Sequence, residues 1–128
     1  MTRPFAISAR ALLLLSLIPL RLASGQGLEY VKAHYTKHEY KIPMRDGVHL
    51  FTSVYVPKDD SKTYPILLNR TPYSVAPYGI DSYRENVGPS PHFGRSGYIV
   101  AYQDVRGRYL SEGEFVDVRP QKPIKKSR

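Results

Sequence analysis

Two serines in this 128-residue chain come close to the spacing that a hydrolase nucleophile requires. That motif is Gly-x-Ser-x-Gly, because the tight turn around the serine leaves no room for side chains on either side. Ser111 has a glycine only at the position two residues later, and Ser96 has one only at the position two residues earlier. Each serine therefore carries half of the motif, and we interpret both as loop serines rather than as nucleophiles.

The four histidines do not form a recognisable metal site. His34 and His38 would share one face of a helix, but the pattern AHYTKHEYKI predicts a strand. On a strand, a spacing of four residues separates two side chains by about 13 Å. His49 and His92 are isolated, and the chain has no cysteine and no phosphate-binding glycine loop. We therefore expect no metal, no cofactor, no disulfide and no thiol chemistry.

Two polar residues follow apolar runs that are typical of buried strands. Tyr73 lies in the stretch RTPYSVAPYG shortly after the run at 65–68, and Asp104 follows the run at 97–102. In α/β sheets, ligand-binding and catalytic groups gather at the carboxyl ends of strands. The chain has 11 tyrosines, so Tyr73 by itself could be a packing residue, or its hydroxyl could face a substrate.

The elements that would position these residues can be read from hydrophobic periodicity. Alternating apolar residues over 34–56, interrupted by Arg-Asp-Gly at 45–47, predict a β-hairpin. The continuous apolar runs at 65–68 and 97–102 predict strands buried on both faces. Together they predict an α/β fold with a mixed sheet.

The connection between the two buried strands carries little regular pattern. Residues 74–92 are rich in Pro, Gly, Ser and Tyr and predict an irregular surface excursion. Its only helix candidates are 82–86 and, at its end, 91–96.

The net charge of +8 does not describe the body of the chain. Residues 26–118 hold 11 basic and 11 acidic residues, so the excess lies in residues 1–25 and 119–128. The body is therefore not a basic surface, and we expect no nucleic-acid partner. The basic end is typical of a solvated terminus, and polyanion binding by that end is the alternative.

The first 25 residues have the pattern of a secretory signal. Arginines precede a ten-residue apolar run at 11–20, and the small residues Ala-Ser-Gly follow at 23–25. Because a helix needs roughly 20 apolar residues to cross a bilayer, this run is too short to span one. We interpret 1–25 as a signal peptide. The mature chain is then expected to be secreted or periplasmic, with no membrane association after cleavage.

Three motifs in a fixed order resemble a known family. They are MRDGV at 44–48, the TPY turn at 71–73 and QDVRGR-x-x-SEG at 103–113. Together they resemble the N-terminal part of the X-Pro dipeptidyl-peptidase and CocE/NonD hydrolase family. This family includes cocaine esterase-like enzymes and α-amino-acid ester hydrolases, and the resemblance to the latter is strongest. It runs from about Tyr30 to Pro120, so that 26–118 is expected to be one hydrolase segment and 119–128 a basic tail outside the family.

The resemblance implies a serine hydrolase of the α/β-hydrolase fold that cleaves esters or amides with a Ser-Asp-His triad. Tyr73 matches the family tyrosine whose hydroxyl contributes to the oxyanion hole. Asp104, Arg106 and Arg108 match a loop that we interpret as structural, in which the aspartate and the arginines brace the turn. The substrate implied is a small ester or peptide, bound by the full-length relative.

The resemblance also implies that this chain is incomplete as an enzyme. The family's nucleophile, triad acid and triad histidine all lie beyond residue 128, so none is expected in this chain. The first four strands are expected in the order 1-2-4-3, with the third strand exposed for want of a fifth. We therefore expect an N-terminal hydrolase segment that is inactive alone, and the alternative is a secreted non-catalytic interaction module.

Overall fold

The computed structural model describes residues 27–117, which form a four-stranded mixed sheet and two short helices. The helices are α1 (Leu28–His34) and α2 (Pro91–Ser96), and the strands are β1 (Tyr35–Pro43), β2 (His49–Pro57), β3 (Ile66–Thr71) and β4 (Ile99–Asp104). The strand order is β1-β2-β4-β3, in which β3 and β4 are parallel and the other pairs antiparallel. The predicted fold class and strand order are confirmed.

The predicted hairpin forms, but it begins one residue later than expected. Its turn closes through a hydrogen bond from Met44 N–H to Val48 O of 2.8 Å, and Gly47 has φ of +83°, which glycine adopts without steric cost. His34 ends α1 instead of joining the strand, where its ring stacks on Tyr30 at 4.1 Å. This contact at a spacing of four residues stabilises a helix of only seven residues, which is too short for a clear periodic signal.

One face of the sheet carries the hydrophobic core. Its largest buried side chains are aromatic residues of three strands, Tyr35, Phe51, Tyr55 and Tyr102. The segment 72–90 covers this face without forming a crossover helix, and it contributes buried Val75 and Val87. The prediction of a surface excursion is therefore wrong in one respect, because this irregular segment is part of the core.

Of the two helix candidates in this connection, 91–96 forms α2 and 82–86 is not helical. The backbone of 82–86 is engaged by the sheet instead. Ser82 O accepts a hydrogen bond from Lys37 Nζ at 2.8 Å, and Arg84 N–H donates to the Tyr55 hydroxyl at 3.1 Å. These side-chain partners replace the backbone bonds that a helix would make.

Lys37 of β1 is buried beneath the irregular segment, with a side chain that is 0% exposed. Its ammonium donates to the carbonyl oxygens of Pro77, Gly79 and Ser82 at 2.7 to 2.8 Å and pairs with Glu39 at 2.9 Å. Glu39 also accepts a hydrogen bond from Gly79 N–H at 2.8 Å. A buried charge with four oxygen partners holds the loop against the sheet.

On the other face of the sheet, Leu50, Thr52, Ala101 and Gln103 of the two central strands are buried, whereas apolar side chains of the two edge strands are exposed. Ile66 and Leu68 of β3 are 70% and 53% exposed, and Tyr40 and Ile42 of β1 are exposed on the same face. The prediction that the run 65–68 is buried on both faces is therefore wrong, because β3 is an edge strand whose Ile66 and Leu68 side chains remain exposed. The expectation from the family resemblance, an exposed edge and exposed apolar side chains, is confirmed.

No helix within the described residues is long and apolar enough to cross a bilayer. The predicted signal peptide at 1–25 and the predicted basic tail at 119–128 lie outside the residues that the structure describes.

We predict that Lys37→Met destabilises the fold by about 2–4 kcal/mol, because it leaves Glu39 and three carbonyl groups without their cation. The measurement is urea unfolding followed by circular dichroism. The matched control is Lys41→Met on the same strand. Lys41 is 60% exposed and 3.8 Å from Glu112, so its removal should change stability little. Equal effects of the two substitutions would contradict the assigned role of Lys37.

Candidate active site

The parallel pairing of β3 and β4 brings two polar loops to one edge of the sheet. Thr71, the last residue of β3, lies opposite Asp104, the last residue of β4, and Val105 N–H donates to Thr71 O at 3.2 Å. The loops that follow these residues, 72–78 and 105–117, therefore start side by side. This edge holds the residues that the sequence singled out.

Tyr73 lies at the exit of β3 with its side chain 79% exposed. Its N–H donates to Thr71 Oγ1 at 3.0 Å, and its hydroxyl makes no hydrogen bond within the described part of the chain. Ser74 directly behind it has φ of +33°, in the left-handed region that non-glycine residues rarely adopt. The chain thus bends at Tyr73 and leaves its phenol exposed at the edge of the sheet.

Asp104 is fully buried and binds both loops through its carboxylate. Oδ1 accepts a hydrogen bond from Val75 N–H at 3.1 Å, and Oδ2 accepts from the Tyr78 hydroxyl at 3.0 Å and from Leu110 N–H at 3.5 Å. Burial raises the pKa of the Tyr78 phenol, and the adjacent Asp104 carboxylate acts in the same direction. Tyr78 therefore stays protonated and donates to Asp104 at neutral pH.

The two arginines of the loop bind partners other than Asp104. Arg106 pairs with Asp46 of the hairpin turn at 2.8 Å. Arg108 donates from Nε to Pro72 O at 3.3 Å, and its guanidinium lies over the rings of Tyr109 and Phe115 at 5.4 and 4.9 Å. The Asp104 carboxylate receives its hydrogen bonds from backbone N–H groups and from Tyr78. The arginines instead connect the loop to the hairpin turn and to Pro72.

Hydrogen bonds therefore fix the backbone both before and after Tyr73. Arg108 binds the carbonyl of the residue before it, and Asp104 binds the N–H of Val75, two residues after it. Pro72 also fixes one backbone angle immediately before Tyr73. An open cavity of about 430 Å³ lies beside Pro72 and is lined by Val105, Arg106 and Phe115, among others.

Neither serine considered as a nucleophile is placed for that role. The Ser111 hydroxyl donates to Asp104 O at 2.7 Å and accepts from Phe51 N–H at 2.8 Å, so it closes the loop onto β2. Ser96 is the last residue of α2 and not a loop residue, and its hydroxyl donates to His92 O at 2.8 Å. Both hydroxyls are therefore engaged with backbone groups.

Among residues 27–117 there is no group of three or more histidine, aspartate or glutamate side chains that could hold a metal ion. His38 stacks on Tyr40, and His34 belongs to α1 and not to the same strand. His49 is engaged by Glu112, whose Oε2 lies 2.9 Å from the His49 backbone nitrogen and 3.0 Å from Nδ1.

The contacts of Lys37, His49 and Glu112 were not anticipated from the sequence. His49 and Glu112 are 63 residues apart, and Lys37 is 40 to 45 residues from its carbonyl partners. Lys37 does offer one local signal, since it shares a strand face with Tyr35. Lysine at an inward position of a strand indicates a paired buried charge.

The chain is similar in sequence to a known protein family and to an esterase. The sequence pattern of the X-Pro dipeptidyl-peptidase (S15) family matches residues 46–125. This match continues past Pro120, where the resemblance described above ends, and includes part of the segment 119–128. Cocaine esterase of Rhodococcus sp. (strain MB1 Bresler) is 41% identical over 75 residues, which are 59% of this chain and 12% of the esterase.

Two solved structures are similar in both sequence and fold. An aminopeptidase from the marine sediment archaeon Thaumarchaeota archaeon is 36% identical with a TM-score of 0.52, over 66% of this chain and 14% of the aminopeptidase. An α-amino acid ester hydrolase is 36% identical with a TM-score of 0.51, over 80% of this chain and 17% of the hydrolase. The chain thus spans less than a fifth of the length of each relative.

We predict that Asp104→Asn costs about 2–3 kcal/mol of folding stability. The carboxylate accepts hydrogen bonds from three donors, and the amide replaces one of its two accepting oxygens by an NH₂ group, which is itself a donor. Hydrogen exchange should accelerate at the amides of Val75 and Leu110. Asp81→Asn is the control, since Asp81 is exposed on the irregular segment. Unchanged exchange at Val75 would show that Asp104 does not hold this loop.

A pH dependence of stability follows from two exposed contacts of the 105–117 loop, Arg106 with Asp46 and Glu112 with His49, which we call the clamps. The hydrogen bond from Arg106 lowers the pKa of Asp46, and hydrogen bonds from the backbone and ring of His49 lower the pKa of Glu112. Because both values are lower in the folded state, the clamps stabilise it above pH of about 4 and lose their effect as pH falls through the folded values.

The measurement is the melting temperature between pH of about 6 and about 3, compared with the double variant Asp46→Asn, Glu112→Gln. The variant should melt at a lower temperature at pH 6 and converge with the parent in acid. Parallel curves over the whole range would contradict the prediction.

Proposed function

The chain belongs to the X-Pro dipeptidyl-peptidase (S15) family, and we propose that it is the N-terminal segment of an exported serine hydrolase that cleaves ester or peptide bonds. The observation that carries the proposal is Tyr73. Its hydroxyl, which has no hydrogen-bond partner among residues 27–117, lies at the carboxyl edge of the parallel strands, on a backbone held before and after it. The names of the relatives, an esterase, an aminopeptidase and an amino-acid ester hydrolase, support ester or peptide substrates. The signal-like residues 1–25 support export.

In this proposal the Tyr73 hydroxyl stabilises the oxygen that becomes negative during acyl transfer. When a serine oxygen bonds to the substrate carbonyl carbon, the electron pair of the C=O bond moves to the carbonyl oxygen. A phenol is a neutral donor that can bind this oxygen. A preorganised donor at that position lowers the barrier by about 3–4 kcal/mol.

We assign the serine, the acid and the histidine of the proposed triad to residues outside 27–117. Within 27–117, neither serine considered above has a free hydroxyl, and His49 is engaged by Glu112. The proposed serine, acid and histidine therefore belong to the larger enzyme, of which this chain corresponds to 12% to 17% by the lengths of its relatives. The chain alone is expected to be inactive.

The test is a chimera in which residues 27–117 replace the matching segment of the α-amino acid ester hydrolase, to which this chain is 36% identical. We expect the chimera to hydrolyse p-nitrophenyl esters, and Tyr73→Phe to lower its kcat by about 10²–10³-fold with little change in KM. Tyr40→Phe is the matched control, because Tyr40 is an exposed tyrosine on the opposite face of the sheet.

Two results would overturn the proposal. A Tyr73→Phe chimera with the parent kcat would remove Tyr73 from the oxyanion hole. Release of p-nitrophenol by the isolated 128-residue chain above the buffer rate would refute its inactivity. An inactive chimera together with a soluble, cooperatively melting isolated chain would favour the alternative, a non-catalytic interaction module.

A further inference from the structure

The residue directly after Tyr73 has an unusual backbone conformation. Ser74 has φ of +33°, a region that residues other than glycine adopt only at a cost in free energy. Rotation about this bond changes the direction of Tyr73 relative to Val75, whose N–H is fixed to Asp104 Oδ1 at 3.1 Å. The conformation of Ser74 therefore determines where the Tyr73 phenol lies relative to the end of β4.

Two hydroxyl groups connect this turn to the buried Asp104. Ser74 Oγ lies 3.0 Å from the Tyr78 hydroxyl oxygen, which in turn lies 3.0 Å from Asp104 Oδ2. Ser74 Oγ also accepts a hydrogen bond from Ala76 N–H at 3.1 Å. We call the Ser74 hydroxyl, the Tyr78 hydroxyl and the Asp104 carboxylate the hydroxyl network.

The number of donors fixes the direction of each hydrogen bond in the hydroxyl network. A carboxylate only accepts, so the single hydroxyl proton of Tyr78 is donated to Asp104. The Tyr78 oxygen can then only accept from Ser74, and the Ser74 oxygen keeps a lone pair for Ala76 N–H. All of these bonds lead from the turn towards the buried carboxylate. Hydrogen bonds aligned in one direction strengthen one another, which makes the turn more rigid.

We propose that Ser74 and Tyr78 are positioning residues that hold the Tyr73 hydroxyl in the orientation that the oxyanion hole requires. The hydroxyl network offsets the cost of the positive φ at Ser74, and the buried Asp104 anchors it. Both residues act through Tyr73 rather than on the substrate. This inference rests on the proposed function, because that function gives the Tyr73 hydroxyl its role.

Substitution can separate the hydroxyl of Tyr78 from its ring. The ring belongs to the side chains packed against the core and meets Phe51 edge to face, with 5.3 Å between the ring centroids. Tyr78→Phe keeps this contact and removes only the hydroxyl. Tyr83→Phe is the matched control, because the Tyr83 hydroxyl accepts from Lys37 N–H at 3.2 Å outside the hydroxyl network. Both variants thus lose one hydrogen bond between the irregular segment and the sheet.

Hydrogen exchange in the 128-residue chain tests the hydroxyl network without measuring activity. Tyr78→Phe removes the group that orients the Ser74 hydroxyl, so exchange at Ala76 N–H should accelerate about fivefold, the equivalent of one hydrogen bond. Tyr83→Phe should leave exchange at this amide unchanged. Equal exchange at Ala76 in the parent and in Tyr78→Phe would overturn the inference, whether or not any chimera is active.

The chimera described under the proposed function tests whether the hydroxyl network acts through Tyr73. We expect Tyr78→Phe to lower its kcat about tenfold with little change in KM, because a displaced donor loses part of its effect on the transition state. In the Tyr73→Phe background the same substitution should change kcat by less than about twofold, since the phenol that it positions is gone. A merely structural residue would lower kcat equally in both backgrounds.

Ser74→Ala and Ser74→Gly separate the hydroxyl from the backbone angle. Both remove the hydroxyl, but glycine adopts a positive φ without steric cost. In the chimera, Ser74→Ala should lower kcat about tenfold, because the turn can relax and displace Tyr73. The kcat of Ser74→Gly should lie between those of Ser74→Ala and the parent. A Ser74→Ala chimera with the parent kcat would overturn the role of Ser74.

The outcomes distinguish this inference from the proposed function. A Tyr73→Phe chimera with the parent kcat would overturn the proposed function. A kcat that falls on Tyr73→Phe but not on Tyr78→Phe would overturn the inference alone. Equal effects of Tyr78→Phe with and without the Tyr73 hydroxyl would also overturn only the inference, as would a loss of kcat in the Tyr83→Phe control as large as that in Tyr78→Phe.

Discussion

The hydrogen bonds to the buried carboxylate of Asp104 determine how the loops are arranged at the carboxyl ends of β3 and β4. A fully buried charge is stable only if hydrogen-bond donors surround it. Here the donors come from two loops, through Val75 and Tyr78 on one and Leu110 on the other. Because the carboxylate needs these donors, both loops have to close over β4 in the folded chain. Tyr73, two residues before Val75, takes its position at the edge from that closure.

The irregular segment between β3 and α2 has a similar constraint along its length. Backbone polar groups that leave water must find partners, and an irregular segment cannot supply them itself. Lys37 satisfies three carbonyls of the segment, and the hydroxyls of Tyr55 and Tyr102 accept hydrogen bonds from the N–H groups of Arg84 and Gly88. Tyr83 of the segment in turn accepts a hydrogen bond from Lys37 N–H of β1. This explains the value of tyrosine in the core of this chain, since its ring fills the core and its hydroxyl bonds to the loop above.

The two faces of the sheet differ at the edge strands. Aromatic side chains and the irregular segment close the first face, whereas Ile66 and Leu68 remain exposed on the second. The relatives are more than five times longer than the matched part of this chain. A covered face and a Tyr73 whose backbone is held before and after it are therefore present in the described residues, while Ile66 and Leu68 of the edge strand stay exposed.

The sequence by itself determined the four strands, and the resemblance to the family implied their order. The Asp-Gly turn and the alternation around it specify the hairpin, and two apolar runs specify β3 and β4, because these signals depend on neighbours within a few residues. Only the tertiary structure decided that Lys37 is buried, that Arg106 pairs with Asp46 and that β3 is exposed. Each of these depends on residues 40 or more positions away, or on whether anything packs on a face. Periodicity records which face of an element is apolar, but the partner that covers that face is set by the packing of the whole chain.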